Sequence, residues 1–131
     1  MHASSHELAL ALAARLGEVV PAGVTLDAVR NSISVYADGE LMVSSQAARI
    51  LEEVDDRTLN KRVESAVLAV LSDVQDSVMR HLRSKWPTDG RGLLALPGAR
   101  ADQNRVLLWY GVSDDRPVIS FRPIEFDEIR A

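Results

Sequence analysis

Asp73, Ser77 and His81 recur at four-residue intervals, so on a helix they share one stripe and invite comparison with a hydrolytic Ser/His/Asp set. That chemistry needs the imidazole between the hydroxyl, whose proton it takes, and the carboxylate that orients it. Here the serine stands in the middle, and one straight helix supplies no oxyanion hole. With Asp76 and Arg80 as an ordinary i, i+4 pair beside it, the stripe reads as a solvated helix face. The run Gly90-Arg91-Gly92-Leu93-Leu94-Ala95 fits G-x-G-x-x-[GA] in its letters. A dinucleotide fingerprint must follow a strand and open a helix, whose N-terminus holds the pyrophosphate. This copy follows a helical pattern and leads into Pro97, so 88–92 (TDGRG) reads as a flexible connection.

Metal chemistry fares no better. His2, His6 and His81 are the imidazoles, and no second ligand stands at useful spacing outside the N-terminal segment. The pairs Glu52-Glu53, Asp55-Asp56 and Asp114-Asp115 diverge on a helix or strand and lack the spacing of a calcium loop, so they read as caps and turn residues. No metal or other cofactor is expected. Arg80, Arg83, Lys85, Arg91, Arg100 and Arg105 make a modest basic patch. Cations in a last helical turn complement the helix dipole, and no nucleic-acid motif accompanies them. Nucleic acid is therefore not the expected partner.

Composition sets the wider bounds. A chain of 131 residues with 47% hydrophobic and 26% charged content suits one globular domain with its own core. It has no cysteine, which removes disulfides and thiol chemistry and fits a cytoplasmic location. The net charge of −4 hides a gradient: residues 1–60 carry 4 basic and 9 acidic side chains, whereas residues 61–105 carry 8 and 5. The start, MHASSHELALALAARLGEVV, has no cationic region and its apolar run is broken by Arg15, so neither a signal peptide nor a membrane span is expected.

The elements that position these residues follow from period and punctuation. Ser4 with Glu7 forms a capping box, and Leu8, Leu12 and Leu16 give an amphipathic helix over 5–18. A weak extended stretch over 24–29 comes next. NSISVYADGELMVSS predicts a hairpin over 31–45 with a three-residue loop of Ala37, Asp38 and Gly39. That register pairs Val35 with Leu41 and Ile33 with Val43 on an oily face, and Tyr36 with Glu40 and Ser34 with Met42 on the other. A two-residue Asp38-Gly39 loop would mix the faces. QAARILEEV (46–54) reads as a short helix. A long helix over 57–86, capped by Asp55 or Asp56, follows from Leu59, Val63, Val67, Val70, Leu71, Val74, Val78 and Leu82, and ends at Trp86-Pro87. LLALPGARADQNR reads as a short strand and turn.

A second hairpin over 105–123, looped at 113–116, pairs Tyr110 with Ile119, Leu108 with Phe121 and Val106 with Pro123 on an apolar face. Trp109 with Ser120, Leu107 with Arg122, and Gly111 with Val118 occupy the other. Pro117 and Pro123 mark the last strand as a sheet edge.

The expected fold is α+β: an antiparallel sheet of two hairpins, four to six strands, with the N-terminal helix and the long helix on one face. Strand alternation sends Tyr110 inward and Trp109 outward. The outer face then collects Trp109, Leu107, Val118, Tyr36 and Met42, too apolar for water alone, and these are the expected partner-binding residues. The alternative site is a pocket between the long helix and the sheet near Trp86, His81 and Tyr110.

VLAVLSDVQDSVMRHLRSKWP and LPGARADQNRVLLWYGV resemble segments of a family of small proteins from high-GC, actinobacterial-type bacteria. The resemblance covers about the C-terminal half and implies no activity and no site residues. The order helix, strands, long helix, strands is also similar to that of type III secretion chaperones, which are small, acidic and dimeric. The expectation is a non-catalytic, cytoplasmic protein-association module, a homodimeric adaptor or chaperone-like protein. A small-molecule-binding or enzymatic domain is the alternative.

Overall fold

Ser4 accepts the Glu7 N–H on its Oγ at 3.2 Å and opens helix α1 (Ser5–Gly17), whose Leu8, Leu12 and Leu16 are fully buried. The computed structural model describes residues 3–53 and 56–130. Among them, seven strands form two antiparallel sheets instead of one. The first is the meander β1 (Val24–Val29), β2 (Ser32–Ala37) and β3 (Glu40–Ser45). The second joins β4 (Pro97–Asp102), β5 (Arg105–Ser113), β6 (Arg116–Ser120) and the short β7 (Ile124–Glu125), with β4 and β6 on either side of β5. The architecture is α+β, as the sequence predicts.

The first hairpin uses the turn the face argument disfavours. Ala37 pairs with Glu40, and Asp38 and Gly39 both take positive φ (51° and 86°), a two-residue type I′ turn whose twist suits a hairpin. A β-bulge then repairs the register: Tyr36 pairs with Leu41 but Val35 with Val43, leaving Met42 as the extra residue. Val43 thereby joins Ile33 and Val35 on the inner side, and Leu41 moves outward, 57% exposed.

The long helix α2 (Leu59–Leu82) is shorter than predicted at both ends. Thr58 is its cap, accepting the Lys61 N–H at 3.3 Å; Asp56 lies ahead of it, and Val54 and Asp55 fall outside the described residues. It stops at Arg83, which takes a left-handed conformation, because Arg83, Ser84 and Lys85 are exposed and give the helix nothing to bury. Its stripe of Val63, Val67, Val70, Leu71, Val74 and Val78 is fully buried. At a rise of ~1.5 Å per residue it lies across β4 and the short 3₁₀ turn Ala47–Glu52, which stands where a short helix was expected.

In the second sheet, Trp109 pairs with Ser120 and Tyr110 with Ile119 as predicted. Beyond Tyr110 a bulge sets Gly111 opposite Pro117, not Val118. A Cβ on Gly111 would sit 2.8 Å from the Pro117 Cα, so only glycine allows that approach. At the far end Val106 pairs with Ile124 in place of Pro123, which has no N–H to give to the ladder. Arg15, 3% exposed, ties α1 to this corner by donating to the Arg122 and Pro123 carbonyls (both 2.8 Å) and to Glu128 (2.9 Å).

Candidate functional site

Tyr110 and Trp109 do point to opposite faces. Tyr110 is fully buried; its hydroxyl donates to the Leu71 carbonyl at 2.6 Å, and its ring meets Trp86 and Phe121 edge-on at 5.5 and 5.9 Å. Burial, with the Asp76 carboxylate adding to it, pushes the phenol well above its usual range, so it stays a donor. Trp86 and Tyr110 thus meet as packed core, and rings fill the space assigned to the alternative pocket. His81 turns toward the corner of Gly23 and Asp38, its Nε2 3.9 Å from where a Gly23 Cβ would be.

Trp109 lies across its cross-strand partner Gly98. A Cβ on Gly98 would come within 2.3 to 2.5 Å of three indole atoms, so the glycine is the seat of the ring. Seated there, the indole Nε1–H is buried with no acceptor. The indole forms part of the floor of a groove of about 570 Å³ that reaches Leu68 of α2 and Val118 of β6. Its apolar walls are open to solvent: Leu68 is 41% exposed, Leu96 61%, Val112 84% and Val118 40%. Asp89 and Arg116 bring opposite charges to the lining.

One wall is the 88–96 segment, which is organised rather than flexible. The Asp89 carboxylate accepts the N–H groups of Arg91 (2.7 Å) and Leu93 (3.0 Å), an Asx-type turn. Buried Gln75 donates to the Ala95 carbonyl at 2.7 Å and pins the segment to α2. This is the G-x-G-x-x-A run; it enters β4, not a helix, and has no phosphate-binding geometry.

The free edge of β4 is guarded. Gly111 N–H donates to the Leu96 carbonyl, so even-numbered residues face β5 and odd-numbered ones face outward. Of the outward positions, Pro97 has no N–H, and the Ala101 N–H is taken by Glu64 of α2 at 2.8 Å. Strand addition is therefore hindered at both ends, which leaves the groove to recognise side chains or rings.

Of the predicted contact residues, Trp109 and Val118 line this groove. Leu107 is half-buried two residues along the same face of β5. Tyr36 and Met42, both half-buried, belong to the other sheet, so the five do not form one surface. Leu68, Leu96 and Val112 complete the groove and escape sequence reasoning. Leu68 is off the helix stripe, Leu96 precedes the strand, and Val112 follows the bulge at Gly111.

The helix stripe is not the solvated face expected of it. Ser77 is 3% exposed and back-bonds to the Asp73 carbonyl (3.1 Å), while the Asp73 carboxylate accepts from Ser45 of β3 (2.6 Å). Neither bond involves His81. Among the described residues no three His, Asp or Glu side chains converge on a metal position; His2 lies outside them. In the basic patch, Arg100 is paired with Asp114 and with Asp102. That hydrogen bond holds the Arg100 guanidinium above and the Asp114 carboxyl below their usual values. Among the described residues no helix is long and apolar enough to cross a membrane. No family model, curated protein or solved structure matches the chain.

Proposed function

We propose that the chain is a non-catalytic protein-association module that pairs with a second copy of itself through the Trp109 groove, as a homodimeric adaptor or chaperone-like protein. The observation that carries this reading is the ring of four exposed apolar side chains around a half-buried indole. Such a cluster favours leaving water, and a monomer gains nothing by exposing it. The surface offers both a recess and projecting knobs, Val112 and Leu96, so one copy can fill what the other presents. Its lining carries both signs, Asp89 and Arg116, which suits a self-complementary contact and favours neither an acidic nor a basic foreign partner. The lack of cysteine suits a reducing compartment, and the module is read as cytoplasmic.

Light scattering coupled to gel filtration tests this directly. The native chain is expected as a dimer at tens of micromolar, and Val112→Glu as a folded monomer with native circular dichroism, melting lower only by the lost association. Each substitution counts twice in a symmetric interface, and a carboxylate buried there without a partner costs several kcal/mol, about. A native chain that is monomeric throughout overturns the proposal. The groove volume also falls in the range of ligand pockets, ~300–1,000 Å³, which favours a second reading, a small apolar ligand stacked on Trp109. A monomer whose melting temperature rises with an aromatic fragment, and not in Val118→Glu, selects that reading.

A further inference from the structure

We infer that the start of α1 is a binding site for a small phosphate monoester carrying hydroxyl groups, the chemistry of a sugar phosphate. A recess of about 550 Å³ opens there, away from the Trp109 groove, between α1, the β1–β2 turn and the 3₁₀ turn. The helix has thirteen residues, and its Ser4 cap satisfies only Glu7, so the N–H groups of Ser5 and His6 have no acceptor within the helix. Such groups, with the helix dipole behind them, favour an anion.

The second observation is Ser5 itself. It is 3% exposed and lines the recess, yet among the described residues its hydroxyl has no hydrogen-bond partner. The oxygen is not sealed in the core but open at the recess, where it is free to meet a ligand oxygen. Two cations arrive from separate elements: Arg30, from the β1–β2 turn at a φ of 56°, and Arg49, from the 3₁₀ turn. Arg30 has no ion-pair partner among the described residues, and the Arg49 guanidinium donates only weakly, to Gln46 Oε1 at 3.3 Å. The Arg30 carbonyl accepts from His6 Nδ1 and fixes the ring, leaving Nε2 for the ligand.

The opposite wall sets the rest of the ligand. Glu52 lines the recess and accepts from Asn31 Nδ2 at 3.4 Å. A carboxylate beside a bare phosphate would repel it, but a carboxylate and an amide a few ångströms away suit hydroxyl groups. The recess is also several times larger than one phosphate ion needs. Phosphate over the helix start and the two arginines, with a polyol toward Glu52 and Asn31, uses every one of these groups.

The test is an amide NMR titration of the full chain with inorganic phosphate and, separately, ribose 5-phosphate. Both should give saturable shifts at Ser5 and His6, with ribose 5-phosphate binding at least tenfold tighter. The double variant Arg30→Ala/Arg49→Ala, at exposed positions that leave the fold intact, should weaken both ligands at least tenfold. Ser5→Ala should weaken both without lowering the melting temperature, which a purely structural hydroxyl would not do. Glu52→Ala should bring ribose 5-phosphate down to the affinity of phosphate. No saturable shift, or shifts that survive the double arginine variant, overturns the site. Equal binding of the two ligands in the native chain overturns the hydroxyl-bearing class.

Discussion

Gly98→Ala is the smallest change that probes the groove. The added Cβ would lie 2.3 Å from Trp109 Cε2, 2.4 Å from Cζ2 and 2.5 Å from Nε1. Carbon pairs are comfortable at ~3.5 Å or more, so the ring must retreat by about an ångström. Backbone ladder bonds hold both strands in place, so the indole swings outward into the groove. Overpacking of this kind costs ~1–3 kcal/mol. Against it, the Nε1–H escapes an unpartnered burial that costs ~1–3 kcal/mol, and alanine replaces a residue ~0.5–1 kcal/mol worse in a strand. The terms nearly cancel, and the expected net loss is at most ~1 kcal/mol. Stability is therefore the insensitive readout, and the position of the ring is the sensitive one. The chain has two tryptophans; Trp86 stays packed on Tyr110, so a red-shifted, more quenchable emission reports Trp109. The same displaced ring should block the groove and weaken self-association at least tenfold. Unchanged emission together with an unchanged dimer constant would refute the seat assigned to Trp109.

Three further outcomes follow from other contacts. Arg15→Met strands the Arg122 and Pro123 carbonyls, while exposed Glu128 turns to water, so a denaturant melt should show a loss of ~2–4 kcal/mol; a loss below ~1 kcal/mol refutes the clamp. At Glu128 burial raises the carboxyl's affinity for a proton, but the Glu125 N–H and Arg15 outweigh it, so the folded pKa lies below the unfolded value of 4.5. Its stabilisation is complete above that value and fades as pH falls through the folded one, by well under ~1 kcal/mol given its exposure; Glu128→Gln should flatten this slope, and parallel acid curves refute it. Tyr110 titrates in the opposite sense: its folded pKa is raised above the unfolded value of 10.0, so stability falls as pH rises past 10.0. Two equivalents of phenolate absorbance in a chain whose circular dichroism is still native would contradict its burial.

The helices were legible because their signals are local. Ser4 and Glu7 announce the start of α1, and the leucines at four-residue spacing keep its face. The end of α2 misleads for a physical reason: Trp86 is apolar and half-buried against the core, but it reaches Tyr110 from a loop after the helix has ended at Arg83. In the first hairpin a two-residue turn does mix the faces over its first pairs. A bulge at Met42 resolves the mixing, and a bulge leaves no residue type behind to announce it. Strand alternation separated Trp109 from Tyr110 correctly because it needs two neighbouring residues only. A common surface for Tyr36, Met42 and Trp109 requires one sheet, and the division into two is a tertiary event with no local mark.

Isolated exposed residues such as Leu10, Val29 and Leu41 ask for no explanation, but the Gly98–Trp109 pair does. Glycine weakens a strand, and an indole N–H without an acceptor weakens it again, at a position where a polar β-branched pair would cost neither. Sequences keep locally unfavourable choices where something other than stability depends on them. The substitution Gly98→Thr with Trp109→Thr separates the two explanations. If the pair serves the fold, losing the seated ring should lower the melting temperature and leave any self-association in proportion to the folded fraction. If it serves the groove, the double variant should melt within about 1 kcal/mol of the native chain, or above it, and fail to pair. A variant that is both less stable and still dimeric would show that the indole is packing for its own sheet, and that the apolar residues around it associate without it.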